Sequence, residues 1–88
     1  MHQDLSREQI EQTVIRLAAE QVGVAASGVF LETNLFADLN FDSLDVVDFV
    51  MHLEEAFETV IPDGKAESVR LVGDAVELLA ADLAGARR

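Results

Sequence analysis

Ser43 is the residue whose type and setting most invite chemistry. It stands in Asp42-Ser43-Leu44-Asp45, where a polar, loop-like stretch passes into an amphipathic helix. A serine nucleophile needs a base within hydrogen-bond reach and a third group to orient that base. The only histidines are His2, close to the start, and His52, nine residues along the same helix. Nine residues at about 100° each turn His52 to the far side of the helix from Ser43. Self-activated serine catalysis is therefore not expected, the chain is not read as an enzyme, and His52 reads as a surface histidine without a mechanism.

The acids before the serine invite a second test, because Asp38, Asn40 and Asp42 fall at positions 1, 3 and 5 of a calcium-loop pattern. The match stops there. Ser43 stands where the turn glycine is needed, and Phe49 where a bidentate glutamate is needed. No dedicated metal site is expected. There is no phosphate-binding loop, dinucleotide fingerprint or metal-ligating histidine cluster, and with no cysteine any thiol chemistry must be imported.

Charge narrows the partners. Seventeen acidic against six basic side chains give a formal net charge of −11, the wrong sign for nucleic-acid binding. Between Leu35 and Ile61 there are seven acids (Asp38, Asp42, Asp45, Asp48, Glu54, Glu55 and Glu58) and no Lys or Arg. Such a face steers basic surfaces toward it, although an acidic run taken alone is more often a solvated helix face. The first five residues are too short and polar for a signal peptide, and no apolar run approaches a membrane span. A cytoplasmic monomer is expected, and 88 residues allow one domain over 1–88.

The elements that must position Ser43 follow from caps and periodicity. Ser6 with Gln9 reads as a capping box and Leu5 with Ile10 as a hydrophobic staple, opening a helix that runs to Gln21 or Val22 and ends at Gly23. Ile10, Val14, Leu17 and Ala18 form its inner stripe. From Val24 to Asn40 the periodicity lapses into a long loop, pinned by Val29, Phe30, Leu31, Leu35, Phe36 and Leu39 and expected to hold a short helical turn. The second helix starts at Asp42 or Ser43 with Asp42 as N-cap and continues to about Phe57, burying Val46, Phe49, Val50, Leu53 and Phe57. Pro62 ends that run and opens a short helical segment through Ser68, with Ala66 and Val69 inward. The last helix spans about Val72 to Ala84, packs Val72, Ala75, Val76, Leu79 and Leu83, and stops at Gly85, with Arg87 and Arg88 at its C-terminus. The fold expected is all-α: a small four-helix bundle of three main helices and one short one, with a long loop between the first two.

Asp42-Ser43-Leu44-Asp45 is followed by Val46-Val47-Asp48-Phe49-Val50-Met51-His52-Leu53-Glu54-Glu55-Ala56-Phe57, then Ile61-Pro62-Asp63 and Val72-Gly73-Asp74-Ala75-Val76. This ordered series over roughly fifty residues resembles the acyl carrier protein family, and Gly23-Val24, Asn34, Asp38 and Leu39 resemble its approach to the serine. The resemblance implies that a separate phosphopantetheinyl transferase, using coenzyme A and magnesium, joins 4'-phosphopantetheine to Ser43. Acyl groups would then ride on that arm as thioesters for fatty-acid or polyketide-type synthesis. It implies a docking face of Asp42, Leu44, Asp45, Val47, Asp48, Met51, Glu54 and Glu55 for acyl-loading and synthase enzymes with basic patches. It also implies a cleft lined by Val47, Val50, Leu53, Ile61, Ala66, Val69 and Ala75, each of which an ordinary bundle core also contains. A free-standing carrier is expected because the chain begins at its own Met. An aminoacyl or peptidyl carrier, an unmodified acidic interaction module and a calcium sensor are the alternatives. Three departures from the family pattern stand out. Asn40-Phe41 replaces a glycine-bearing turn and sets Phe41 beside the serine, where it would bear on partner choice. Leu35-Phe36 shifts a phenylalanine by one position, and Leu71 occupies a capping position.

Overall fold

The computed structural model describes residues 6–86, with side chains through Leu83. Four helices occur in the order α1 (Arg7–Val22), α2 (Ser43–Phe57), α3 (Asp63–Ala66) and α4 (Val72–Ala86), with one 3-10 turn at Ala26–Gly28 in the long loop. Among the described residues there is no strand, only an isolated antiparallel bridge between Asn34 and Leu71. The all-α bundle with one short helix is the architecture the periodicity predicts.

α1 forms where its cap dictates. The Ser6 hydroxyl accepts from Gln9 N and the Gln9 side chain accepts from Ser6 N, while Gly23 closes the helix at φ 76°, a left-handed conformation that glycine adopts without penalty. Ile10, Val14, Ala18 and Ala19 are buried, Leu17 only partly. The expected staple involves Leu5, which lies outside the described residues. α1 packs on both α2 and α4, and the Arg7 guanidinium pairs with Glu11 and Glu77, linking α1 to α4 at its exposed rim.

α2 buries Phe49, Leu53 and Phe57 with Val46 and Val50 at the edge of the core, and α4 buries Val72, Ala75, Val76 and Leu79 with Leu83 partly covered. α3 is a single turn that Pro62 opens, shorter than the segment expected through Ser68; Val69 beyond it is nevertheless buried. α4 continues through Gly85 instead of stopping there. A glycine weakens a helix by about 1 kcal/mol but does not end it unless its backbone turns left-handed. Arg87 and Arg88 lie outside the described residues.

The long loop is stitched to the beginning of α4. Leu35 N donates to Arg70 O (2.9 Å), Val72 N to Thr33 O (3.0 Å) and Gly73 N to Leu31 O (2.9 Å). A Cβ on Gly73 would stand 3.1 Å from that same Leu31 oxygen, so a side chain there would have to push the Leu31 carbonyl aside by a few tenths of an ångström. Inside the loop, Asn34 Oδ1 accepts from Phe36 N and Ala37 N, and Asp38 Oδ2 accepts from Asn34 N. Val29 and Leu35 are buried, and Phe36 lies under the Arg70 guanidinium at 5.6 Å. The shifted phenylalanine therefore packs, with Leu35 taking the core position. Phe30 corrects the expected pinning, being 59% exposed. Its N–H is taken by the Thr33 hydroxyl (2.8 Å) in a local turn that leaves the ring outside.

Candidate functional site

The site is built at the junction of the long loop and α2. Asn40 takes φ 59°, a left-handed conformation that asparagine tolerates better than most residues. Asn40 N and Phe41 N donate to Phe36 O (3.1 Å) and Leu35 O (2.9 Å), which fixes the turn. The consequence for Phe41 departs from the expectation. Its ring lies inside the core, 5% exposed, and meets the Phe49 ring edge to face, so it forms no part of the surface around Ser43.

Immediately after the turn the chain emerges. Asp42 caps α2 through Asp45 N (2.9 Å), and Asp45 returns the contact through Asp42 N (3.1 Å). Because Asp42 does the capping, the Ser43 hydroxyl makes no hydrogen bond among the described residues. Ser43 is exposed, and it stands where the helix dipole and the first backbone N–H groups favour a phosphate ester.

Asp45 has a second tie. Gln21 Nε2, at the end of α1, donates to its Oδ1 (3.1 Å), so α1 and α2 are joined beside the serine. The Asp42 backbone N–H, then the Gln21 amide, hold the Asp45 carboxyl below its ordinary value of 3.8. No periodicity points to Gln21. The only signal is an amide one residue from a predicted helix end.

The expected docking face divides by side-chain commitment. Leu44, Val47 and Met51 are 72%, 54% and 52% exposed and form an apolar strip on α2. Asp48 and Glu55 are exposed beside it. Asp42 and Asp45 are engaged in the cap, and Glu54 accepts from Ile61 N (2.7 Å), holding the connection out of α2. His52 is exposed on the same helix. Asp38 and Asp42 each spend an oxygen on a backbone N–H, and no group of three metal-ligating side chains gathers among the described residues.

Val50, Leu53, Ile61, Ala66, Val69 and Ala75 come together around one apolar hollow, to which Phe49 and Leu78 also contribute. Val47 does not join them, since it points to solvent. The hollow leaves about 10 Å³ for the centre of a water-sized sphere, roughly the room that one water molecule requires. Leu78 lies one helical step from the Ala75 stripe, but which neighbours wall a hollow depends on how helices meet, which spacing within one helix does not report.

A helical bundle that displays an unengaged serine hydroxyl at a helix start is the class of protein this geometry defines, and residues 12–79 match the family of phosphopantetheine attachment sites. Over 77 residues the chain is 46% identical to the acyl carrier protein of Prochlorococcus marinus, covering 88% of this chain and 96% of that one. The chain belongs to the acyl carrier protein family. Its structure is similar to that of the acyl carrier protein from Enterococcus faecalis, with a TM-score of 0.73 and 35% identity over 88% of this chain and 98% of the other. A second similar structure, from Mycobacterium tuberculosis, gives a TM-score of 0.76 at 25% identity, covering 82% of this chain and 96% of the other. The family's prosthetic group is phosphopantetheine, and its members carry cargo instead of transforming it. Among the described residues no helix is long and apolar enough to cross a membrane.

Proposed function

We propose that Ser43 is the attachment point and that the chain is a single carrier domain for acyl groups in fatty-acid or polyketide-type synthesis. The observation that carries this reading is the division of labour at the start of α2: Asp42 caps, and Ser43 is left exposed with a free hydroxyl. In that reading Ser43 Oγ forms the bond to phosphorus as the pyrophosphate link of coenzyme A breaks, and adenosine 3',5'-bisphosphate leaves. In this reading the base that removes the Ser43 proton comes from the transferase, since the neighbouring carboxylates of Asp42 and Asp45 are engaged in the helix cap. The arm supplies the thiol that a chain without cysteine lacks.

The neighbouring surface suits transient partners. The transferase and the enzymes that load and extend cargo would read Leu44, Val47 and Met51 as a small apolar contact, and Asp48 and Glu55 as unengaged anions. Charge gives fast encounter with basic patches, and limited apolar area keeps release easy. A cytoplasmic location accompanies this reading, because coenzyme A, the donor of the arm, is an intracellular metabolite.

Intact-protein mass spectrometry after incubation with coenzyme A and a broad-specificity transferase tests it. Wild type gains the mass of one arm and Ser43→Ala gains nothing. No gain on wild type, or an equal gain on the alanine variant, would falsify the assignment.

A further inference from the structure

Phe49 walls the apolar hollow from α2, and its ring meets that of Phe41, which is not among the residues that line the hollow. The ring centroids are 5.6 Å apart with an 86° interplanar angle, the edge-to-face arrangement that aromatic pairs favour. The rings are 1% and 5% exposed. Phe41 is held from its backbone as well, by the bond from its N–H to Leu35 O, and Leu35 is itself fully buried. That wall recedes only by displacing its packed neighbours, because close-packed interiors resist extra volume. The hollow has room for the centre of about one water-sized sphere, and hydrocarbon enters only if a wall gives way.

We propose that Phe49, backed by Phe41, is the specificity-determining residue for cargo length: the pair keeps an octanoyl chain out of the hollow, so this carrier leaves medium-length acyl groups unsheltered. The inference rests on attachment at Ser43. Ala66 and Val69, from the single turn of α3 and just beyond it, line the same hollow with smaller side chains, so the Phe49 ring is the bulkiest group and the one aromatic in the lining. The limit comes from the aromatic side.

The test loads Ser43 with acetyl- or octanoyl-phosphopantetheine and compares melting temperatures. Each sheltered methylene would raise the melt by roughly 3–6 °C in a domain of this size. Wild type is expected to melt within about 1 °C in the two forms, whereas Phe49→Leu gains several degrees on going from acetyl to octanoyl. If Phe49→Leu does not fold, Phe41→Leu carries the same comparison. NMR contacts between octanoyl methylenes and the Val69 methyls are absent in wild type and present in the variant. A wild-type melt that rises with chain length, or such contacts in wild type, overturns the proposal. So do folded variants that stay as indifferent to chain length as wild type. Failure to load at all is read separately by mass; it removes the Ser43 assignment and this inference with it.

Discussion

α2 and α4 carry the same device at their first turn, an aspartate at the third position that reaches back to the backbone ahead of the helix, and they complete the cap differently. In α2, Asp45 accepts from Asp42 N while Asp42 caps in return. In α4, Asp74 accepts from Arg70 N (3.0 Å) and Leu71 N (2.9 Å), but Leu71 has no polar side chain to answer with. Carbonyls of the long loop answer for it, Thr33 O taking Val72 N and Leu31 O taking Gly73 N. The start of α4 is thus closed by the fold, whereas the start of α2 is self-sufficient and stays open to solvent at Ser43. A helix N-terminus can hold an anion only if its first N–H groups are not already spent. Of the two, only α2 meets that condition.

The comparison breaks most readily at the loop. Leu35→Ala removes a fully buried side chain from the segment that reaches α4. It should cost about 2–5 kcal/mol, read in a urea or thermal melt. Hydrogen exchange should speed up at Val72 and Gly73 more than in the middle of α2. Equal acceleration in both would mean the loop does not specifically support α4.

Capping variants sharpen the contrast. Asp42→Ala should destabilise by about 1 kcal/mol, lowering the melt by roughly 4–8 °C. Leu71→Ser supplies a hydroxyl where the first N–H groups are already paired, so it should gain less than about 0.5 kcal/mol. A full cap's worth of stabilisation, about 1 kcal/mol, would show those N–H groups to be free after all.

The smallest effect concerns Gln21. Asp45 titrates below 3.8 in the folded chain. Its contribution to stability is therefore complete above that pH and is lost as the pH falls through the lowered folded value. Gln21→Ala removes one of the causes and leaves the Asp42 contacts in place. Wild type should melt slightly higher than the variant at pH 6, and the gap should close below pH 3.8. A gap that persists in acid would assign the effect to packing instead of the carboxylate.

What could be read in advance follows the range of each interaction. The Ser6–Gln9 box, the Asp42 cap and the Gly23 stop lie within a few residues of themselves, and the buried stripes of α1, α2 and α4 repeat at helical spacing. These were legible. Phe41 was not, because it is an isolated apolar residue between Asn40 and Asp42, and its inward turn depends on bonds to Leu35 and Phe36 across the loop. Phe30 was read the other way round because composition within a loop does not say which side faces the core. Six of the seven residues named for the cleft through family resemblance line the hollow, Val47 being the exception, whereas the contact between the Phe41 and Phe49 rings joins loop to helix and leaves no periodic trace in the sequence.

The stitch between the loop and α4 also has a consequence in time. α2 closes its cap within four residues of chain, Asp42 to Asp45, so that contact demands little loop closure. The first turn of α4 must wait until residues 31–35 arrive from about forty positions upstream, after the entropy of closing that long segment has been overcome. By range alone, the Leu31–Gly73 contact should form after the cap of the serine's helix; a Leu35→Ala variant that slows folding by as much as it destabilises the fold would reverse that order.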